Sequence, residues 1–344
     1  MIEKIKDKIN KELNIFIKDT DKIYSLSKVS PLLLKTIKEF ILRKGKRVRP
    51  ILFVISYLGY SKKRAKNLYK CAISLELLHD FLLVHDDIID KSDIRRNRPS
   101  LHKVFNNYLK RYKDAKFSGQ DLAIVAADII YAMAIGAFLS IKENKKEKAL
   151  KKLIDASIYT EIGEFIELIN QLKPIDKIKQ KDVYQIYDYK TSYYTFSYPL
   201  SIGATLAKAN KKEIKKLTQY GLLLGRAFQI KDDILGMFSE EKKTGKSALS
   251  DLGQGKRTIL IWYAYKHSNN KDKSIIKRIL SKKHTKRADL LRIRKIITKS
   301  GSLNYAKNEI ENIIKKTKKL NRQLKIKKRY KNILENYAGE LFKL

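Results

Sequence analysis

An all-α fold follows from three observations on the sequence. Apolar residues recur at helical spacing through long Leu/Ile/Lys-rich blocks, only 5 Pro and 14 Gly punctuate 344 residues, and hairpin signals are few. With 43% hydrophobic residues the chain can fill a substantial core. No repeat of fixed period and no Pro/Ser/Gly linker divides it, so a single domain over residues 1–344 is expected. At that length the helices would form a bundle around a central cavity lined by side chains from facing helices.

Taken in order, the amphipathic stretch IEKIKDKINKEL opens a helix over about 2–18. Ser30-Pro31 suits a helix start for 31–44, followed by 47–59, and Ser61 suits another for 62–90. The periodicity continues through about 101–111, 120–141, 145–171, 180–196, 198–208 and 211–236, then 257–267, 273–281, 286–299, 302–323 and 327–342. Polar stretches at 112–119, 142–146 and 172–179 read as loops. The longest, EEKKTGKSALSDLGQGK (240–256), carries Gly and follows an acidic pair, so it is expected to cover a site.

The 76 Lys+Arg against 36 Asp+Glu give a formal charge of +40, which invites a basic nucleic-acid binder as a reading. The lysines are spread over nearly every expected helix, which describes a solvated surface better than a groove. No specific nucleic acid is expected, only weak attraction to RNA or to anionic lipid headgroups at a membrane surface. The single cysteine, Cys71, excludes an intrachain disulfide and fits a reducing cytoplasm. The N-terminus lacks the apolar core of a signal peptide and the acid-poor character of a transit peptide. The run LAIVAADIIYAMAIGAFLSI (122–141) approaches membrane-spanning length, but Asp128 interrupts it and a mid-span carboxylate is costly in lipid. A helix buried in the core or in a subunit interface is expected there, and no transmembrane segment.

Two acidic clusters stand out. In HDFLLVHDDIID, Asp86 and Asp90 are four apart and share one helix face, with Asp87 beside them. Like charges so placed repel unless cations offset them, and hard oxygen ligands with room for water and phosphate suit Mg2+. The preceding turns are almost wholly apolar, which places these acids at the mouth of a cavity rather than on a solvated helix end. GRAFQIKDDILGMF ends a second apolar run with Asp232 and Asp233. Two such helices could hold several Mg2+ between them, with a diphosphate completing the coordination. Cations lie around them in RKGKRVRP, RR at 95–96, DYKTSYY, TGKS and QGKRT.

The order and spacing of GKRVRP, ELLHDFLLVHDDIIDKSDIRRNRPSLHK, DYKTSYY and FQIKDDILGMFSEEKKTGKSALSDLGQGKRT resemble the trans-isoprenyl diphosphate synthases, the polyprenyl synthetase family. The resemblance runs from about 43 to 258, roughly two thirds of the chain; residues 259–344 would complete the bundle. It implies an isoprenoid-synthase-type helical bundle, usually a homodimer, and Mg2+-dependent condensation of an allylic diphosphate with isopentenyl diphosphate. By this resemblance Asp86, Asp90 and Asp232 ligate Mg2+, with Asp87 and Asp233 supporting them and three ions per site. Arg95, Lys190, Thr191, Gln229, Lys246 and Lys256 hold the allylic diphosphate. Lys46, Arg49, His79, Arg96 and Phe228 form the isopentenyl diphosphate site. A lone histidine on an apolar face is ordinarily a core residue, but His79 matches the family's substrate histidine. The catalytic set is Asp86, Asp90, Asp232, Lys190 and Lys246.

Four positions depart from the family pattern: Gly236 stands where a third aspartate is common, Lys44 for the first Gly of GGKR, Glu164 for Gln, and Ala127 for Gly. The first removes an oxygen from the second metal face. Phe81 and Leu82, five and four residues before Asp86, lie about one turn, roughly 5 Å, below it. An aromatic at the fifth position resembles archaeal-type enzymes that make the C20 product, so Phe81 is expected to be a chain-length floor and geranylgeranyl diphosphate the product. Farnesyl diphosphate or a longer polyprenyl diphosphate is the alternative product. A terpene cyclase has no use for Lys46, Arg49 and His79. A non-catalytic partner subunit would usually have lost one acidic cluster.

Overall fold

The computed structural model describes residues 1–63, 65–238, 248–282 and 284–342. Its helices are α1 Ile2–Tyr24, α2 Leu26–Val29, α3 Pro31–Ile41, α4 Val48–Tyr60, α5 Leu68–Ile89, α6 Leu101–Leu109, α7 Gly119–Leu139, α8 Lys146–Leu172, α9 Gln180–Ile186, α10 Tyr198–Leu206, α11 Lys211–Phe238, α12 Ala248–Gly253, α13 Ile259–His267, α14 Asn270–Leu280, α15 Arg287–Lys299, α16 Ser302–Gln323 and α17 Lys328–Phe342. A π-helical segment, Tyr187–Ser197, joins α9 to α10, and a two-stranded hairpin, β1 Ile94–Arg95 and β2 Arg98–Pro99, follows α5. The all-α expectation holds. The chain divides into two compact units, Met1–Leu153 with Ile202–Ala209, and Ile154–Ser201 with Asn210–Leu344.

In the first unit α1 buries Ile5, Ile9, Leu13, Phe16 and Ile17, a stripe at helical spacing that lies against α5. The interior stretch Ile51–Ile55 of α4 is buried on every side. The buried residues of α7 include Ala123, Ala126, Ala127, Ala134 and Ala137, and side chains this small let α7 run close along α5. Ser118 and Asp121 cap its start reciprocally, Asp121 Oδ2 accepting from the Ser118 N–H at 2.8 Å. Among the described residues α7 is the one helix with the length and apolarity of a membrane span. Cys71, on α5, is fully buried, and burial pushes its thiol pKa well above the usual value.

The second unit is built on α11, which packs against the π-helical segment and α16. Two of its glycines permit that contact: a Cβ at Gly221 would fall 2.4 Å from Ser197 Cα, and one at Gly225 2.3 Å from Ser192 Cα. The Thr258 side chain caps α13 by accepting from the Ile261 N–H at 3.3 Å.

Several boundaries differ from the sequence reading. The helix expected at 62–90 begins at Leu68, and Ser61 instead closes α4, its N–H donating to the Tyr57 carbonyl at 2.9 Å. The helix expected over 180–196 turns π-helical at Tyr187. Within 240–256, residues 248–253 form α12. The hairpin was not expected, because its turn, with Arg96 and Asn97 at positive φ of 55° and 58°, lacks the glycine-bearing pair that signals such turns.

Candidate active site

In the first unit the acids of α5 meet the hairpin. Asp86 and Asp90 each offer a carboxylate oxygen, and these lie within 4.8 Å of one another. The Asp90 N–H donates to the Asp86 carbonyl at 2.8 Å and closes the helix. Asp87, on the inner face, is fully buried. Arg95 bridges the pair: Nε donates to Asp87 Oδ1 at 2.8 Å and Nη2 to Asp86 Oδ2 at 2.8 Å. Desolvation works against the Arg95 cation, but Asp87 and Asp86 outweigh it and hold its pKa above the usual guanidinium value. The hairpin is itself clamped by Arg43, which donates to the carbonyls of Arg95 at 3.2 Å and Pro99 at 2.9 Å.

Nearly three turns before Asp86 on α5, Glu76 Oε1 accepts from Arg47 at 2.6 Å, and Arg47 also donates to Asn10 Oδ1 at 3.0 Å and to the carbonyls of Ile41 and Arg43. The Arg96 guanidinium lies 3.6 Å from Glu76 and 3.7 Å from Asp80. His79, in the same stretch, has its imidazole pKa pushed well below the usual value by desolvation and then by Arg49 and Arg96, so it is neutral at pH 7. Lys46 is exposed and Arg49 partly so. Below the acids, the Phe81 ring packs edge-on against His85 at 4.8 Å between centroids and lies tilted against Tyr131 of α7 at 4.9 Å. Leu82 is buried.

The second unit carries the other set. Thr191 donates to Gln229 Oε1 at 2.6 Å, Gln229 Nε2 to Asp233 Oδ1 at 3.0 Å, and the Tyr187 hydroxyl to Asp233 Oδ2. The Ile259 N–H donates in turn to the Tyr187 oxygen at 2.8 Å. Asp233 is thus tied into the protein while its neighbour Asp232 is exposed. Burial pushes the Asp233 pKa up to about 7, against the lowering effect of Tyr187 and Gln229. Lys190 Nζ lies 2.5 Å from both Glu164 and Glu167 on α8. A Cβ at Gly163 would be 2.5 Å from the Lys190 nitrogen, so this glycine lets the π-helical backbone against α8. Phe228 stacks obliquely on Phe196 at 5.4 Å. Lys256 lies before α13, and Lys246 falls outside the described residues.

The sequence reading passed over Glu76, Asp80, Tyr131, Glu167 and Tyr187. Glu164 and Glu167 were open to it, because a spacing of three puts both on one helix face. Tyr131 gave no signal inside an apolar run.

Carboxylates stacked one turn apart on a helix end are the kind of oxygen donors that could hold a divalent metal ion. The polyprenyl synthetase family model matches residues 30–297. The short chain isoprenyl diphosphate synthase of Methanocaldococcus jannaschii is 31% identical over 81% of this chain and 77% of its own. The geranylgeranyl diphosphate synthase of Saccharolobus solfataricus is 36% identical over 70% of this chain and 68% of its own. Among solved structures, geranylgeranyl pyrophosphate synthase from Corynebacterium glutamicum superposes with a TM-score of 0.89 at 24% identity over 100% of this chain and 99% of that one, a likeness of fold. The synthetase from Pyrococcus horikoshii gives 0.82 at 25% identity over 100% and 97%. The chain belongs to the polyprenyl synthetase family, and it is a trans-prenyltransferase.

Proposed function

We propose that this enzyme condenses isopentenyl diphosphate with allylic diphosphates of five to fifteen carbons and yields mainly the C20 product, geranylgeranyl diphosphate. The observation that carries the reading is the arrangement at the end of α5. There Arg95 ties down the inner Asp87 and one oxygen of Asp86, while the oxygens of Asp86 and Asp90 come within 4.8 Å of each other. Relatives named geranylgeranyl diphosphate synthase support the product.

The donor set fits Mg2+, because it consists of carboxylate oxygens on a helix end, one turn apart and held by a cation. Asp86 and Asp90 would hold the metal on this side and Asp232 on the other, with Asp87 and Asp233 fixing their neighbours; we assign three ions per site. Bound there, Mg2+ neutralises the diphosphate so that it becomes a competent leaving group.

Arg95, Lys190, Thr191, Gln229, Lys246 and Lys256 would bind the allylic diphosphate, and the cations among them stabilise the charge that develops as the C–O bond breaks. For Lys190 this means exchanging part of its contact with Glu164 and Glu167 for phosphate oxygens. Lys46, Arg49, His79 and Arg96, with Phe228, would fix isopentenyl diphosphate so that its double bond meets the allylic carbon. The departing diphosphate is the base for the final proton loss. Leu82 and the Phe81 ring would bound the tail.

We also propose that the chain works as one catalytic domain, in the cytoplasm, and as a homodimer. On α7, Val125 is 58% exposed, its neighbour Ile124 is exposed too, and so is Leu139 at the far end of the helix, apolar surface suited to a second copy. In a turnover assay with Mg2+, labelled isopentenyl diphosphate and C5, C10 or C15 allylic diphosphates, C20 product should dominate. Asp86→Ala should lower kcat at least 100-fold. Failure of the native chain to elongate any starter refutes the reading.

A further inference from the structure

The isopentenyl diphosphate site proposed above contains a buried acid that the reaction does not use. Asp80 is 0% exposed, and neither of its carboxylate oxygens accepts a hydrogen bond. Its ion-pair partner is Arg96, whose Nη1 lies 3.7 Å from Oδ1, beyond hydrogen-bond length. Glu76, one turn earlier and 1% exposed, is placed differently. It takes a hydrogen bond from Arg47 at 2.6 Å and has Arg96 only as a second cation at 3.6 Å. Losing Arg96 would therefore leave Glu76 paired and Asp80 stripped.

Arg96 is built to move between partners. It sits in the hairpin turn with φ 55°, a costly backbone position for a side-chain-bearing residue. Its guanidinium lies over Gly45, where a Cβ would approach to 3.4 Å. At 3.6 and 3.7 Å it is attracted to both acids without being hydrogen-bonded to either. A diphosphate oxygen offering a short charge-assisted bond outcompetes such contacts. A buried carboxylate that loses its counter-charge neutralises itself by binding a proton.

We propose that Asp80 is the exchange partner of Arg96: it holds the guanidinium in the empty site and takes up one proton from solvent when the diphosphate of isopentenyl diphosphate draws that guanidinium away. This rests on the assignment of Arg96 to that substrate. Asp80 is thus a positioning residue that makes isopentenyl diphosphate binding proton-linked. The charged and titratable groups acting on it are Glu76 and His79 on α5, Arg47 and Arg49 around the start of α4, and Arg96 from the hairpin. His79 is already neutral at pH 7. Burial pushes the Asp80 pKa up to about 7, opposed by Arg96 and reinforced by Glu76. Below that pH the acid already carries its proton and binding needs none. Above it, binding must draw a proton from an ever scarcer supply, so affinity falls as pH rises, by at most about tenfold per pH unit.

The test is the KM for isopentenyl diphosphate divided by that for the allylic diphosphate, measured from pH 6.5 to 8.5. Both substrates carry the same diphosphate, so the ratio largely cancels their own ionisation. In the native enzyme the ratio should climb several-fold across this range. In Asp80→Asn it should be flat, and lower than the native value at pH 8.5, with the change confined to the isopentenyl KM. Arg96→Lys should raise that KM at every pH. A flat native ratio overturns the proposal, whether or not the Asn variant folds, and so does an equal slope in native enzyme and Asp80→Asn while Arg96→Lys shows its defect. If Arg96→Lys leaves the isopentenyl KM unchanged, the site assignment itself fails.

Discussion

The Phe81 ring lies between His85 and Tyr131, with centroids 4.8 and 4.9 Å away. With Asp86 as the proposed metal ligand, residues one turn N-terminal to it would lie along the path of the growing chain. Replacing Phe81 with Ala should therefore let products longer than C20 accumulate, resolved by reversed-phase chromatography. Phe81 was legible in the sequence because counting back from Asp86 finds it. Its support by Tyr131 was not, because periodicity inside the apolar run of α7 cannot tell a cavity wall from a core residue. The same contrast holds for Arg95, which motif order identifies, and Asp80, whose role depends on two distances that no spacing encodes.

The π-helical segment Tyr187–Ser197 bears Lys190 and Thr191, which makes it the element on which the second set of side chains depends. Its seat is shaped by absent side chains. A Cβ at Gly225 would fall 2.3 Å from Ser192 Cα, a backbone contact that cannot give way cheaply. Gly225→Ala should destabilise the chain by about 1–3 kcal/mol in denaturant titrations, as overpacking does. It should also raise the KM for the allylic diphosphate, because Ser192 follows Thr191 directly. The sequence showed helix here, since apolar spacing scarcely separates α from π. The widened turns follow from packing that single-residue patterns do not record. The hairpin was hidden for a different reason: Arg96 and Asn97 occupy a turn without glycine.

For the whole chain, the helical class and nearly every helix were readable, because helices are local and their apolar stripes repeat. The division into two units, which falls within α8, within α10 and again just before α11, was not, because it arises from contacts between residues remote in sequence. The formal charge of +40 is likewise a property of the entire surface. It should produce binding to phosphatidylserine vesicles at about 50 mM salt that is lost near 0.5 M, where the Debye length is only a few ångströms. Cosedimentation measures this, and phosphatidylcholine vesicles should retain none. The chain's one thiol offers a further use. Cys71 is sealed inside the first unit with its ionisation suppressed, so a thiol reagent reaches it only when that core opens. Its labelling rate is a built-in clock for opening of that unit, needing no engineered probe, and substrates that bind and stabilise the folded unit should slow it.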